Sequence, residues 1–254
     1  MTENNNRIIA LAGKGGVGKT SLAAGIVRQL TKRHPGARIL AIDADPAVGL
    51  STALGIEVET TIDDIRKEVI ATVENGETKS AIELLGEAKY RLYDAITEAE
   101  GFDFIAVGRP ESAGCYCSIN SYLKEVISIL SENFDYVVID GEAGIEQINR
   151  RVMEKVTDLL LVTDASRKGT QVVQTIKNVA DQLVMYDRAG VILNRVPDAS
   201  IRFIVDVGDL EILACIESDP ELAAFDIRGD SLLGLPEDDR MLAGVSEVLE
   251  KMEI

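Results

Sequence analysis

Short runs of consecutive apolar residues alternate along this chain with longer stretches in which apolar positions recur every three or four residues. The runs Ile8–Ala12, Arg38–Ile42, Phe104–Val107, Tyr136–Ile139, Leu159–Val162, Val191–Leu193 and Glu211–Ile216 read as strands. Strands without polar alternation are buried on both faces, the condition of a parallel sheet covered by helices on either side. Helical spacing fills Lys19–Thr31, Ser118–Leu130, Gly169–Met185 and Asp238–Met252, and the acidic stretch from Ile62 to Glu100 reads as helices covering one side of the sheet. The expected fold is α/β, a single domain over 1–254 with a mostly parallel central sheet and helices on both faces.

No linker or repeat divides the sequence, and 254 residues with 46% hydrophobic content suffice for one large core. Met1 to Arg7 is polar, and no apolar run approaches the roughly 20 residues that span a bilayer, so a cytoplasmic location is expected. A formal net charge of −17 opposes nucleic acid and anionic membranes. Proteins, metal cations and a nucleotide carried with magnesium are the expected partners.

One strand-to-helix junction carries a chemical pattern. Gly13-Lys-Gly-Gly-Val-Gly-Lys-Thr20 fits G-x-x-x-x-G-K-[ST] directly after an apolar strand and before an amphipathic helix, the context in which that pattern cradles phosphate. Gly13, Gly15, Gly16 and Gly18, with Val17 among them, let the backbone curl so that its N–H groups converge on an anion. Lys19 supplies a point charge for the β and γ phosphates, the Thr20 hydroxyl suits magnesium, and Ser21 completes the nucleotide-binding stretch. The fold class narrows to a P-loop nucleoside triphosphatase that takes its nucleotide, ATP, with Mg2+. "YVVIDGEAG" is a buried strand ending in Asp140, whose carboxylate suits magnesium, usually through water. Gly141 to Gly144 reads as a switch loop, followed by Ile145, Ile148, Val152 and Val156 at helical spacing. "AIDADPAVGL" ends a strand in Asp43 and Asp45, and "GVILNRVP" ends another in Asn194, whose amide both donates and accepts. Turn aspartates and a structural asparagine are the plain alternatives.

Cys115 and Cys117, in "GRPESAGCYC", form the one closely spaced pair of soft ligands; Cys215 lies in an apolar strand pattern, and His34 is the sole histidine. In a reducing compartment such a pair points to metal or redox chemistry rather than a disulfide. A tetrahedral thiolate site for Ni2+ or Zn2+ wants four ligands, and two chains related by a twofold axis supply them. A bridged iron–sulfur cluster and two incidental thiols stay open.

Lys14 makes "GKGGVGKT" similar to the deviant Walker A motif of the nitrogenase iron protein and of the chromosome-partition and cell-division-positioning ATPases. That resemblance implies a face-to-face homodimer in which Lys14 reaches the partner's nucleotide and acts with Lys19 and Asp45 in hydrolysis. It further implies that Asp45 orients the attacking water, that Asp43 assists the magnesium shell of Thr20 and Asp140, and that Asn194 contacts the base. Through "GKGGVGKT", "DADPAVGL", "GRPESAGCYC", "DGEAG" and "LLGLPEDD" the chain resembles the CooC family, the nickel-insertion ATPases of carbon monoxide dehydrogenase and its acetyl-CoA synthase relatives. The resemblance implies an ATP-dependent metallochaperone that holds nickel, or zinc in its place, at Cys115 and Cys117 of both chains and delivers nickel to carbon monoxide dehydrogenase. An iron–sulfur reductase is the first rival, against which the segment after Asp140 offers no cysteine. A partition or positioning ATPase without metal is the second, opposed by the net charge and by "SEVLEKMEI", which lacks a basic amphipathic anchor.

Overall fold

The computed structural model describes residues 6–74, 90–108, 124–125, 127–141 and 155–254. Within them, eight strands share one sheet: β1 (Arg7–Gly13), β2 (Ile39–Asp43), β3 (Thr97–Ala99), β4 (Phe102–Ala106), β5 (Tyr136–Asp140), β6 (Asp158–Thr163), β7 (Arg188–Val196) and β8 (Glu211–Glu217). Their order is β3-β4-β2-β5-β1-β6-β7-β8, and every pair is parallel except β3 with β4. As the apolar runs require, β2 and β6 are buried along their whole length.

Helices close both faces. On one, α1 (Lys19–Arg33), the short α2 (Gly49–Leu54) and the C-terminal helix Arg240–Lys251 bury Leu22, Ile26, Leu50, Met241 and Val245 against Ile9, Leu11 and Ala41. On the other, α3 (Ile62–Glu74) and α4 (Arg167–Leu183) bury Ile62, Ile65, Val173 and Ile176 against Ala10, Leu40, Ile105 and Leu161. A further helix, α5 (Pro220–Arg228), follows β8, which makes the C-terminal helix α6.

The acidic region differs from its expected all-helical form. It opens with α3 but ends in β3, which turns back at Gly101 (φ 86°) to pair antiparallel with β4. An edge strand is covered on only one flank, so Thr97-Glu98-Ala99 leaves no apolar run to betray it. Of the helix expected over Ser118–Leu130, the described residues 124–125 and 127–130 are helical and the rest lies outside the described residues.

The amino ends of the central strands are locked together. Asp158, fully buried, accepts from Arg7 at 3.0 and 3.1 Å, from Arg188 at 3.1 Å and from the Thr157 hydroxyl at 2.7 Å. Two guanidinium groups thus compensate a buried carboxylate, and β1, β6 and β7 are held at the end remote from the phosphate pattern. From β1 the chain passes to β2 and on to the edge strand β3, turns back into β4, returns to β5 beside β1, and then crosses to β6, β7 and β8. The winding direction reverses around β1, and in open α/β sheets ligands bind in the crevice at the carboxyl ends of such strands.

Candidate nucleotide and magnesium site

Gly13 ends β1 with φ 153°, and a Cβ there would lie 2.0 Å from the Val162 carbonyl oxygen of β6, so only glycine fits. The loop then enters α1 at Lys19 through Gly18, whose φ of 88° is left-handed. No side chain caps this helix start and its first turn holds no acidic residue, which leaves backbone N–H groups to receive an anion. The Lys19 ammonium, nearly buried, donates to the carbonyls of Gly13 and Lys14 at 3.2 and 3.3 Å. A cavity of about 540 Å³ opens over the loop, bordered by Lys19, Thr20, Ser21, Asp45, Arg195 and Asp226.

Two carboxylates stand side by side at the carboxyl ends of adjacent strands, Asp43 on β2 opposite Asp140 on β5. Asp43 is fully buried; one oxygen accepts from the Asp45 N–H at 3.1 Å and the other from the Leu50 N–H at 2.8 Å. Expected to assist the magnesium shell, it has both oxygens turned to the backbone of the loop that presents Asp45. Burial pushes its pKa up to about 6 despite these bonds. Asp45 is half-buried, and its carboxylate accepts from the Ala47 N–H at 2.9 Å.

Asp140 is buried, and neither of its oxygens has a partner in good hydrogen-bond geometry. Burial raises its pKa to about 7 and the neighbouring Asp43 carboxylate adds to the rise, while the Thr20 hydroxyl and the Lys19 ammonium pull it down. A buried carboxylate with orphaned oxygens is unfavourable by itself and is compensated by a cation. Mg2+, a hard cation that prefers oxygen ligands, fits Asp140 and Thr20 on that ground.

Lys14 turns away from its own loop. Its ammonium donates to Asp164, just past β6, at 2.9 Å, with both side chains about one-third exposed. Asp164 also accepts from the hydroxyl and N–H of Ser166, the residue that caps α4. These bonds, the Ser166 hydroxyl foremost, hold the Asp164 carboxyl below the usual carboxylate range. Asn194 is buried and its amide donates to the Val17 carbonyl at 2.8 Å. Its neighbour Arg195, which sequence reasoning passed over, donates to the Gly16 carbonyl at 3.0 Å and borders the cavity. A cationic residue directly after the polar strand end was the one signal for it.

Cys115, Cys117 and the switch residues 142–144 lie outside the described residues. Among the described residues no group of three or more His, Cys, Asp and Glu side chains is placed to hold a metal ion, and no helix is long and apolar enough to cross a membrane. Cys215 is half-buried on β8, where burial pushes its thiol pKa up.

Residues 8–232 match the CbiA family profile, the CobQ/CobB/MinD/ParA nucleotide binding domain. An uncharacterized ATP-binding protein of Methanocaldococcus jannaschii is 35% identical over 249 residues, 96% of this chain and 98% of that protein. The carbon monoxide dehydrogenase accessory protein CooC of Rhodospirillum rubrum is 28% identical over 237 residues, 89% of each chain. Among solved structures, the septum site-determining protein MinD of Pyrococcus horikoshii, complexed with Mg-ADP, superposes with a TM-score of 0.67 at 23% identity, covering 98% of this chain and 96% of that one. The fold of the chain is thus that of the MinD structures.

Proposed function

The chain belongs to the CbiA family of CobQ/CobB/MinD/ParA nucleotide-binding domains and is a P-loop ATPase, and from that premise we propose that it is an ATP-driven metal carrier that works as a homodimer. The observation that carries the reading is the Cys115-Tyr-Cys117 pair within "GRPESAGCYC". Two chains facing each other bring four thiolates together, a set suited to Ni2+ or Zn2+ as cargo. The 28% likeness to a carbon monoxide dehydrogenase accessory protein supports nickel as the cargo and a nickel enzyme of that class as the client.

Hydrolysis follows from the residues of the nucleotide site. The loop N–H groups and Lys19 bind the phosphates, Lys19 exchanging the Gly13 and Lys14 carbonyls for phosphate oxygens. Thr20 and Asp140 would hold Mg2+, which would supply neutralisation of the charge on the β and γ phosphates. Asp45, carried by the loop that Asp43 organises, orients the attacking water. Lys14 leaves Asp164 and stabilises the charge on the partner's transferring phosphoryl group. Loss of the γ phosphate changes the dimer geometry and with it the shared thiolate site.

Cys115→Ala and Cys117→Ala are each expected to abolish tight nickel and zinc binding by the dimer while ADP affinity stays as in the parent protein. Metal retained in both variants would remove the thiolate site; loss of metal and nucleotide binding together would make the cysteines structural. The likeness to MinD favours a second reading, a positioning ATPase that acts on a surface. ATP-dependent sedimentation with liposomes or DNA, set against the net charge of −17, would select it.

A further inference from the structure

β7 does not end as a regular strand. Across the β7–β8 pair Leu193 faces Cys215 and Val196 faces Glu217, so Asn194 and Arg195 together stand against the single residue Ile216. Arg195 has a φ of 56°, a left-handed conformation that a long side chain enters only under strain. In a regular strand two neighbours point to opposite faces. The bulge turns both towards the phosphate loop, where the Asn194 amide donates to the Val17 carbonyl at 2.8 Å and the Arg195 guanidinium to the Gly16 carbonyl at 3.0 Å. The approach is so close that a Cβ on Gly18 would lie 2.7 Å from the Asn194 amide nitrogen.

A peptide unit is planar and trans, so the carbonyl of one residue and the N–H of the next point in opposite directions. Pinning the Gly16 and Val17 carbonyls towards β7 therefore turns the N–H groups of Val17 and Gly18 away from it. We infer that Asn194 and Arg195 are positioning residues for the nucleotide's phosphates: they fix the 16–17 and 17–18 peptide planes so that two N–H donors face the anion before it arrives. Backbone strain kept at a functional site in this way serves preorganisation. The inference needs the ATPase assignment and is independent of the metal-carrier proposal.

The test compares binding of Mg-ATP with binding of magnesium inorganic triphosphate, a probe without base or ribose, by calorimetry. Arg195→Gly is the variant of choice, because glycine accepts the left-handed backbone and only the side chain is lost. Both ligands are expected to weaken by the same factor, about tenfold, as one preorganising hydrogen bond is lost. That factor should be the same at low and high salt, since the guanidinium is bonded to a neutral carbonyl, and the ligand-free melting temperature should not fall. Loss of ATP affinity with triphosphate affinity intact would show that Arg195 reads the base and overturn the inference. A loss that shrinks as salt rises would show direct contact with phosphate, and no loss for either ligand would show that the loop holds its shape unaided; both overturn it too.

Discussion

Replacing Lys14 with alanine is expected to lower ATP turnover by about 10³-fold or more, the range that a cation supplied across an interface contributes to phosphoryl transfer, and to leave ADP affinity of the single chain nearly unchanged. The two lysines of the loop are differently engaged. Lys19 folds onto its own loop carbonyls, whereas Lys14 reaches outward to Asp164. A side chain directed out of its own phosphate loop adds little to ligand affinity there. The Lys14–Asp164 pair is partly exposed and worth about 1 kcal/mol at most, so exchanging it for a phosphate on a facing chain costs little. Steady-state hydrolysis measured against protein concentration, with ADP titration of the same samples, checks the prediction. Normal turnover in the variant would remove the role in trans.

Asp140→Asn is expected to end ATP turnover and yet to make the ligand-free protein more stable. The Asp140 carboxyl has its pKa raised to about 7 from the ordinary 3.8, chiefly by burial. A group with a raised native pKa holds its proton more tightly folded than unfolded. Its contribution is therefore fully present below about pH 4, declines as pH rises towards 7, and leaves above that a buried charge that Thr20 and Lys19 compensate only in part. The amide removes that charge. At pH 8 without magnesium the variant should gain on the order of 3 kcal/mol, or about 5–10 °C in melting temperature, and near pH 4 the two proteins should melt together. Asp43, with its pKa raised to about 6, declines in the same sense in both proteins and does not mask the difference. Magnesium should raise the melting temperature of the parent protein at pH 8 but not that of the variant. A variant less stable than its parent at pH 8 would mean that the Asp140 carboxylate is already compensated within the chain.

The parts of this molecule that the sequence made legible are those in which burial or backbone geometry imposes a strict residue pattern. A strand between two helical layers must be apolar throughout, so β1, β2, β5 and β6 stood out within a residue or so of their ends. The phosphate loop was legible because no other residue replaces Gly13 against the Val162 carbonyl. β7 was read as three residues and spans nine, because Arg188, Asn194 and Arg195 interrupt its apolar run where it meets Asp158 at one end and the phosphate loop at the other. α2 and α5 are short, and neither repeats long enough for a helical period to set its bounds. The ion cluster at Asp158 and the bonds of Asp43 to Asp45 and Leu50 depend on residues meeting in space, and a single acidic letter carries no sign of its partners.

Metal carriage is measured most directly as the metal and sulfide content of the anaerobically purified protein, with its mass in solution before and after nickel and ATP are added. A metal carrier should hold about one nickel or zinc ion, without iron or acid-labile sulfide, in a particle of twice the 27.5 kDa chain mass. Iron and sulfide at about four each per dimer would make the cysteine loop a cluster site and the protein a reductase. A nucleotide-linked dimer that carries no metal under any condition would show that the protein is not a metal carrier.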